Sequence, residues 1–188
     1  AYVSGDFQEH AISYLTAGLF ESHDRARFEV CAISLGADST SAMRKRVREG
    51  VDQFIDARQL SDEAIVALIH KHEIDIAIDL GGFTGVSRPG IFARRAGPVQ
   101  VNYLGYPGTM GAPYVACIVA DRTVIPERER DFYAERVVYL PDSFQANDAR
   151  RAIAEHTPAR SDEGLPDDAF VFCSFNNAYK ITPPVFDV

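Results

Sequence analysis

The chain has 188 residues, 46% of them apolar, and a formal net charge of −8. That is enough apolar side chain for one well-formed core and the beginning of a second, while the acidic balance argues against a protein that holds nucleic acid by neutralising its phosphates. No apolar run approaches the ~20 residues that span a bilayer, and no charged-then-apolar leader opens the chain.

Cys31, Cys117 and Cys173 each sit in an apolar, strand-like run (EVCAI, ACIVA, FVFCSF) and form no CxxC pair. They read as buried free thiols in a reducing cytosol. The chain begins without Met in what reads as the end of a strand, and stops where Thr182 and Pro183 open a helix. A helix of little more than one turn does not stand alone, so the sequence reads as a fragment of a longer protein.

Taken in order, apolar β-rich runs alternate with helical patterns, which predicts an α/β fold with a parallel sheet. After Tyr2-Val3, residues 10–20 place Ile12, Leu15 and Leu19 on one helical face. FEVCAISL follows as a strand. Residues 40–49 then form a basic helix whose Arg44-Lys45-Arg46 run, with Arg48, reads as a solvated face rather than an anion patch. FID is a short strand, and Ser61 with Asp62 and Glu63 caps a helix that turns Ile65, Leu68 and Ile69 to the core. IDIAIDL and VQVNYLG are strands that end in glycine-rich loops, ACIVAD and RVVYLP add two more, and IPERERDF forms a brief helix between those two. This predicts a lobe over 1–141, a polar interlobe linker over 142–167, and a second unit over 168–188 opened by the strand AFVFCSFN. No repeat of roughly 34 residues is present.

In open parallel sheets ligands gather at the carboxyl ends of strands. The chemically distinctive strings GDFQEH, GGFTG, GYPGT and FNNAYK all fall there. Asp6 and His10 can bring a carboxylate and an imidazole to one cleft for proton transfer; an Asp that caps the helix beside an ordinary surface His would leave the same string. Gly81, Gly82 and Gly85 suit close approach to a phosphate or sugar, or simply a tight turn. Leu104-Gly105-Tyr106-Pro107-Gly108-Thr109 makes a stiff turn whose amides can face a cleft. Lys180 can neutralise a diphosphate or stand solvated. Neither a GxGxxG fingerprint nor an Asp-x-Asp motif is present, and His70 and His72 diverge on a helix, so the residues suggest no metal site and no nicotinamide cofactor.

The strings YVSGDFQEH, FEVCAISL, IDIAIDLGGFTG, RRAGPVQVNYLGYPGTMGA, VVYLPDSFQ and CSFNNAYKITP, in that order, resemble the catalytic region of protein O-GlcNAc transferases, with the bacterial relatives nearest, and of the related plant-type O-fucosyltransferase. The resemblance covers essentially the whole chain. It implies a two-lobed GT-B enzyme with Rossmann-like lobes, and metal-independent, inverting transfer of a sugar from a nucleotide diphosphate to Ser or Thr hydroxyls of an acceptor protein. By motif, His10 matches the active-site histidine and Asp6 the carboxylate that assists proton removal. Lys180 matches the lysine that holds the diphosphate, and Asn177 falls where nucleotide contacts are expected. Leu104, Gly105, Tyr106 and Pro107 match the loop beside the donor sugar. Glu9 stands where the animal enzymes carry Asn, near the acceptor peptide, and Asn177 where they carry Gln. SFNN is closer to the fucosyltransferase, while GYPGT and Tyr179-Lys180 are closer to the GlcNAc enzymes. The donor implied is UDP-GlcNAc, with GDP-fucose or a non-catalytic module of the same fold as alternatives.

Overall fold

The computed structural model describes residues 1–175 and 177–186, and the chain divides into two units, Ala1–Arg151 and Ala152–Val188. The first unit holds β1 (Tyr2–Ser4), β2 (Cys31–Ser34), β3 (Gln53–Asp56), β4 (Ile76–Asp79), β5 (Val99–Tyr103), β6 (Cys117–Ala120) and β7 (Arg136–Tyr139). They form one sheet in the order β3-β2-β1-β4-β5-β6-β7, with every pairing parallel. The helices are α1 (Ala11–Glu21), α2 (Ala42–Glu49), α3 (Asp62–Lys71) and α4 (Pro89–Ala93), with a 3₁₀ helix at Glu127–Phe132.

Successive strand residues point to opposite faces, and both faces are covered, which is why neighbouring positions such as Tyr2-Val3, Ala32-Ile33 and Ala77-Ile78 are both apolar. On one face Tyr2, Ala32 and Tyr103 pack with Ile12 and Phe20 of α1 and Val47 of α2. On the other, Val3, Ile33 and Ala77 pack with Ile65 and Ile69 of α3 and Ile91 and Phe92 of α4. Ser61 caps α3 as expected, its Oγ accepting from Ala64 N at 3.2 Å, and Ser41 does the same for α2 through Arg44 N at 3.2 Å.

Several local expectations are corrected. The buried residues of α1 are Ile12, Ser13, Thr16, Ala17, Gly18 and Phe20, with Leu15 and Leu19 at the margin. Arg44 is no solvated residue: it is 2% exposed, its Nη1 donating to Phe7 O and Ser34 Oγ at 3.2 and 2.9 Å, with Asp38 Oδ1 3.0 Å from Nε. A cation can be buried at that depth only when so paired. Cys31 is buried, but Cys117 is only half-buried and Cys173 is exposed. The strand expected over AFVFCSFN does not form among its described residues, because the second unit offers no described strand to pair with it. α4 went unanticipated; with Pro89 and Gly90 in a helix of five residues it carries almost no periodicity.

Residues 142–151 belong to the first unit and are bonded to its sheet and helices. Asp148 Oδ2 accepts from Arg46 Nη1 at 2.6 Å, and Tyr103 Oη donates to Phe144 O at 2.8 Å. In the second unit, Arg160 Nη1 donates to Pro166 O and Ala169 O at 2.9 and 2.8 Å, and 3₁₀ helices span Arg160–Glu163 and Ala178–Lys180 before α5 (Pro183–Phe186).

Candidate active site

The strand order reverses between β1 and β4, so the loops after these strands part in opposite directions and leave a crevice at their carboxyl ends. The loop Gly5–His10 starts there. Phe7 pins it by burying its ring against Phe20 and Phe54, with centroids 6.0 and 6.2 Å away. Asp6 N donates to Ser4 Oγ at 3.0 Å, and Ser13 Oγ donates to Asp6 O at 2.8 Å. The backbone is thus held on both sides of the carboxylate, whose side chain is 17% exposed.

His10, not Asp6, is the cap of α1. Its backbone is extended and its Nδ1 accepts from Ile12 N at 3.3 Å, while Asp6 Oδ2 lies 3.8 Å from the same nitrogen. An Nδ1 that accepts leaves the ring proton on Nε2, so the imidazole, 46% exposed, offers an N–H outward. Rotation of the proton to Nδ1, with Asp6 as its acceptor, would free Nε2 to take a proton.

The loop after β4 is organised by Asp79, a residue the sequence reading passed over. Its Oδ1 accepts from Gly81 N and Gly82 N at 2.9 and 3.1 Å, and burial raises its carboxyl above the ordinary range while those two amides oppose the rise. The only signal was Asp79 two residues before Gly81-Gly82, the composition of an Asx turn. Gly82 adopts φ +55, and a Cβ there would lie 2.5 Å from Tyr106 Cβ, so glycine is required on both counts.

The third wall is the loop after β5. A Cβ on Gly105 would lie 2.1 Å from Leu80 O and 3.3 Å from Ile12 Cδ1, so this turn presses on the end of β4 and on the first turn of α1. Leu104 sits at φ +74, a left-handed conformation that costs a leucine about 1–2 kcal/mol; its buried side chain belongs to the same cluster as Phe7, Ile12 and Leu80. Asn102, the register partner of Asp79, donates through Nδ2 to Tyr106 O and Gly108 O at 2.9 and 3.2 Å.

Asp6, His10, Leu104, Gly105, Tyr106 and Pro107 therefore gather at one end of the sheet. Asn177 and Lys180 belong to the second unit, both exposed on one short turn in which Lys180 N donates to Asn177 O at 2.9 Å. Glu9 is engaged: Met43 N donates to its Oε1 at 3.1 Å and Tyr14 Oη donates to its Oε2. The Tyr14 bond, then the Met43 amide, hold its carboxyl below the usual range. Two cavities, of about 520 Å³ beside His70 and Pro98 and about 370 Å³ beside Tyr2 and His23, open at the amino-terminal ends of the strands and do not border this crevice. Among the described residues no three His, Cys, Asp or Glu side chains form a metal set, and no helix is long and apolar enough to cross a membrane.

A parallel sheet covered on both faces, with its loops crowded at the point of strand reversal, defines a Rossmann-like lobe, a class that takes its ligands at that crevice. Residues 1–159 match the model of glycosyl transferase family 41, and the chain belongs to that family. It is 37% identical, over 98% of its length, to the probable UDP-N-acetylglucosamine–peptide N-acetylglucosaminyltransferase SEC of Arabidopsis thaliana. It is 32% identical over its whole length to the probable enzyme of the same description, SPINDLY, of Petunia hybrida. A solved variant of the Thermobaculum terrenum O-GlcNAc transferase superposes with a TM-score of 0.74 at 33% identity, covering 77% of this chain and 28% of that one. The chain spans 19% and 20% of the two curated relatives, about a fifth of each.

Proposed function

We propose that the full-length protein is a cytosolic enzyme that transfers N-acetylglucosamine from UDP-GlcNAc to Ser or Thr hydroxyls of proteins, with inversion and without a metal ion. The observation that carries this reading is the meeting of the loops after β1, β4 and β5 at the strand reversal, with Gly105 against Leu80 O and Ile12. Family membership and the printed names of the relatives support the chemistry. The unpaired cysteines support the compartment.

In this reading the acceptor oxygen bonds to the anomeric carbon as the carbon–oxygen bond to the diphosphate breaks, and the hydroxyl proton leaves to His10 Nε2. Asp6 accepts a hydrogen bond from Nδ1–H and so holds the ring in the tautomer whose Nε2 accepts, which requires His10 to release Ile12 N. Leu104, Gly105, Tyr106 and Pro107 border the sugar. Lys180 balances the charge that grows on the diphosphate, an effect of roughly 3 to 4 kcal/mol by analogy with oxyanion donors, and Asn177 contacts the nucleotide. Residues 1–141 supply the amino-terminal lobe and 168–188 open the second, so the 188-residue chain by itself should not turn over.

His10→Ala and Lys180→Ala in the full-length protein should each abolish sugar transfer to an acceptor peptide. Transfer at the wild-type rate by both variants removes the catalytic roles and favours a module that keeps the fold without the chemistry. The string SFNN favours a second donor, GDP-fucose, which the same assay accommodates.

A further inference from the structure

The turn after β5 forms no helix or strand over residues 106–111, so side chains must set its shape. Asn102 holds it from the β5 side. From the other side it is held by three consecutive residues that lie just before β7 and about 25 positions away in sequence. Tyr133 Oη donates to Pro107 O at 3.0 Å. Ala134 N donates to Thr109 Oγ1 at 3.2 Å. Glu135, only 4% exposed, accepts from Thr109 Oγ1 through Oε2 at 2.7 Å and from Met110 N through Oε1 at 2.6 Å. Thr109 Oγ1 also accepts from Gly111 N at 3.0 Å. That hydroxyl therefore gives its one proton to Glu135 and fills both lone pairs with backbone amides.

A carboxylate is expensive to bury unless its oxygens are bonded. Here two donors converge on one side chain, and only a carboxylate meets both with acceptors. A glutamine, though nearly the same shape, turns its NH₂ either on Met110 N–H or on a hydroxyl whose lone pairs are taken, so one pairing fails whichever way the amide lies. We propose that Glu135 is a positioning residue of the enzyme: through Thr109 and Met110 it fixes the Leu104–Met110 turn in the shape that receives the donor sugar. This rests on the glycosyltransferase reading above, which puts that turn beside the sugar. Because the turn meets the sugar before and during the reaction alike, loosening it weakens donor binding and leaves the chemical step nearly untouched.

The test uses the full-length protein and its Glu135→Gln, Thr109→Val, Thr109→Ser and Glu135→Gln/Thr109→Val variants. Initial rates are measured against UDP-GlcNAc and GDP-fucose at saturating acceptor peptide, with Tm recorded for each variant. Glu135→Gln and Thr109→Val should each raise the KM for the productive donor about tenfold, as expected for one buried bond left unmade, with kcat within about twofold of wild type. The double variant should be no worse than the worse single, and Thr109→Ser, which keeps the hydroxyl, should match wild type. Should Glu135→Gln not fold, Thr109→Val and Thr109→Ser decide the matter alone. An unchanged donor KM in folded Thr109→Val, or a Thr109→Ser as damaged as Thr109→Val, overturns the inference while leaving the catalytic reading intact. A folded wild type that transfers from neither donor overturns the catalytic reading, and this inference with it.

Discussion

His10 caps α1, and the proposed mechanism asks a second job of the same ring; the two can be separated. As the cap of α1 it accepts from Ile12 N, a bond whose loss costs about 1 kcal/mol in typical helices. In the proposed mechanism it needs the same nitrogen for Asp6. Asn caps helices well but carries no imidazole. His10→Asn should therefore keep the wild-type unfolding free energy in urea and lose transfer, whereas His10→Ala loses transfer and about 1 kcal/mol of stability. A His10→Asn enzyme with wild-type kcat would leave the ring a cap and nothing more. The role of His10 in capping was not legible because histidine is not among the usual capping residues; Asp6, which is, has its carboxylate beside His10 Nδ1 instead, at 3.8 Å.

Strands β4 and β6 each end at a carboxylate that gathers backbone amides, and the two titrations shift in opposite directions because burial prevails at Asp79 and the amides prevail at Asp121. Asp79 is raised by burial. Its contribution to stability is full below the unfolded carboxylate range and is lost as pH rises through its folded value. Asp121 is lowered by amides, Phe144 N foremost and then those of Val124 and Thr123, so its contribution is present above that range and lost as pH falls. Asparagine keeps an acceptor oxygen and removes the charge. Asp79→Asn should flatten the loss of stability above about pH 4, and Asp121→Asn should flatten the loss below it. Urea unfolding of the chain from acid to neutral pH checks both; curves parallel to wild type would show that neither carboxylate carries the linkage. Strand positions were legible from apolar runs bounded by Gly and Pro. Asp79 and Glu135 were not, because what makes them matter is a set of amides and hydroxyls that only the folded loops bring to them.

For the whole molecule, alternation of strand and helix patterns was enough to predict a parallel α/β sheet, and both covered faces follow from adjacent apolar residues such as Tyr2-Val3, Ala32-Ile33 and Ala77-Ile78. The strand order, and with it the crevice between β1 and β4, was legible only as far as the loops carrying unusual residues all followed strands. Arg44 shows the limit most plainly: a basic run on a helix reads as solvated, yet one of its members lies under the Gly5–His10 loop with Phe7 O as its partner. Sugar transfer is the property on which every proposed residue role depends. Its most direct test is the intact mass of acceptor peptides incubated with the full-length protein and both UDP-GlcNAc and GDP-fucose, offered side by side. One N-acetylhexosamine residue added to a Ser or Thr is the expected result; a deoxyhexose would replace the donor assignment, and peptides of unchanged mass beside a folded protein would contradict the account.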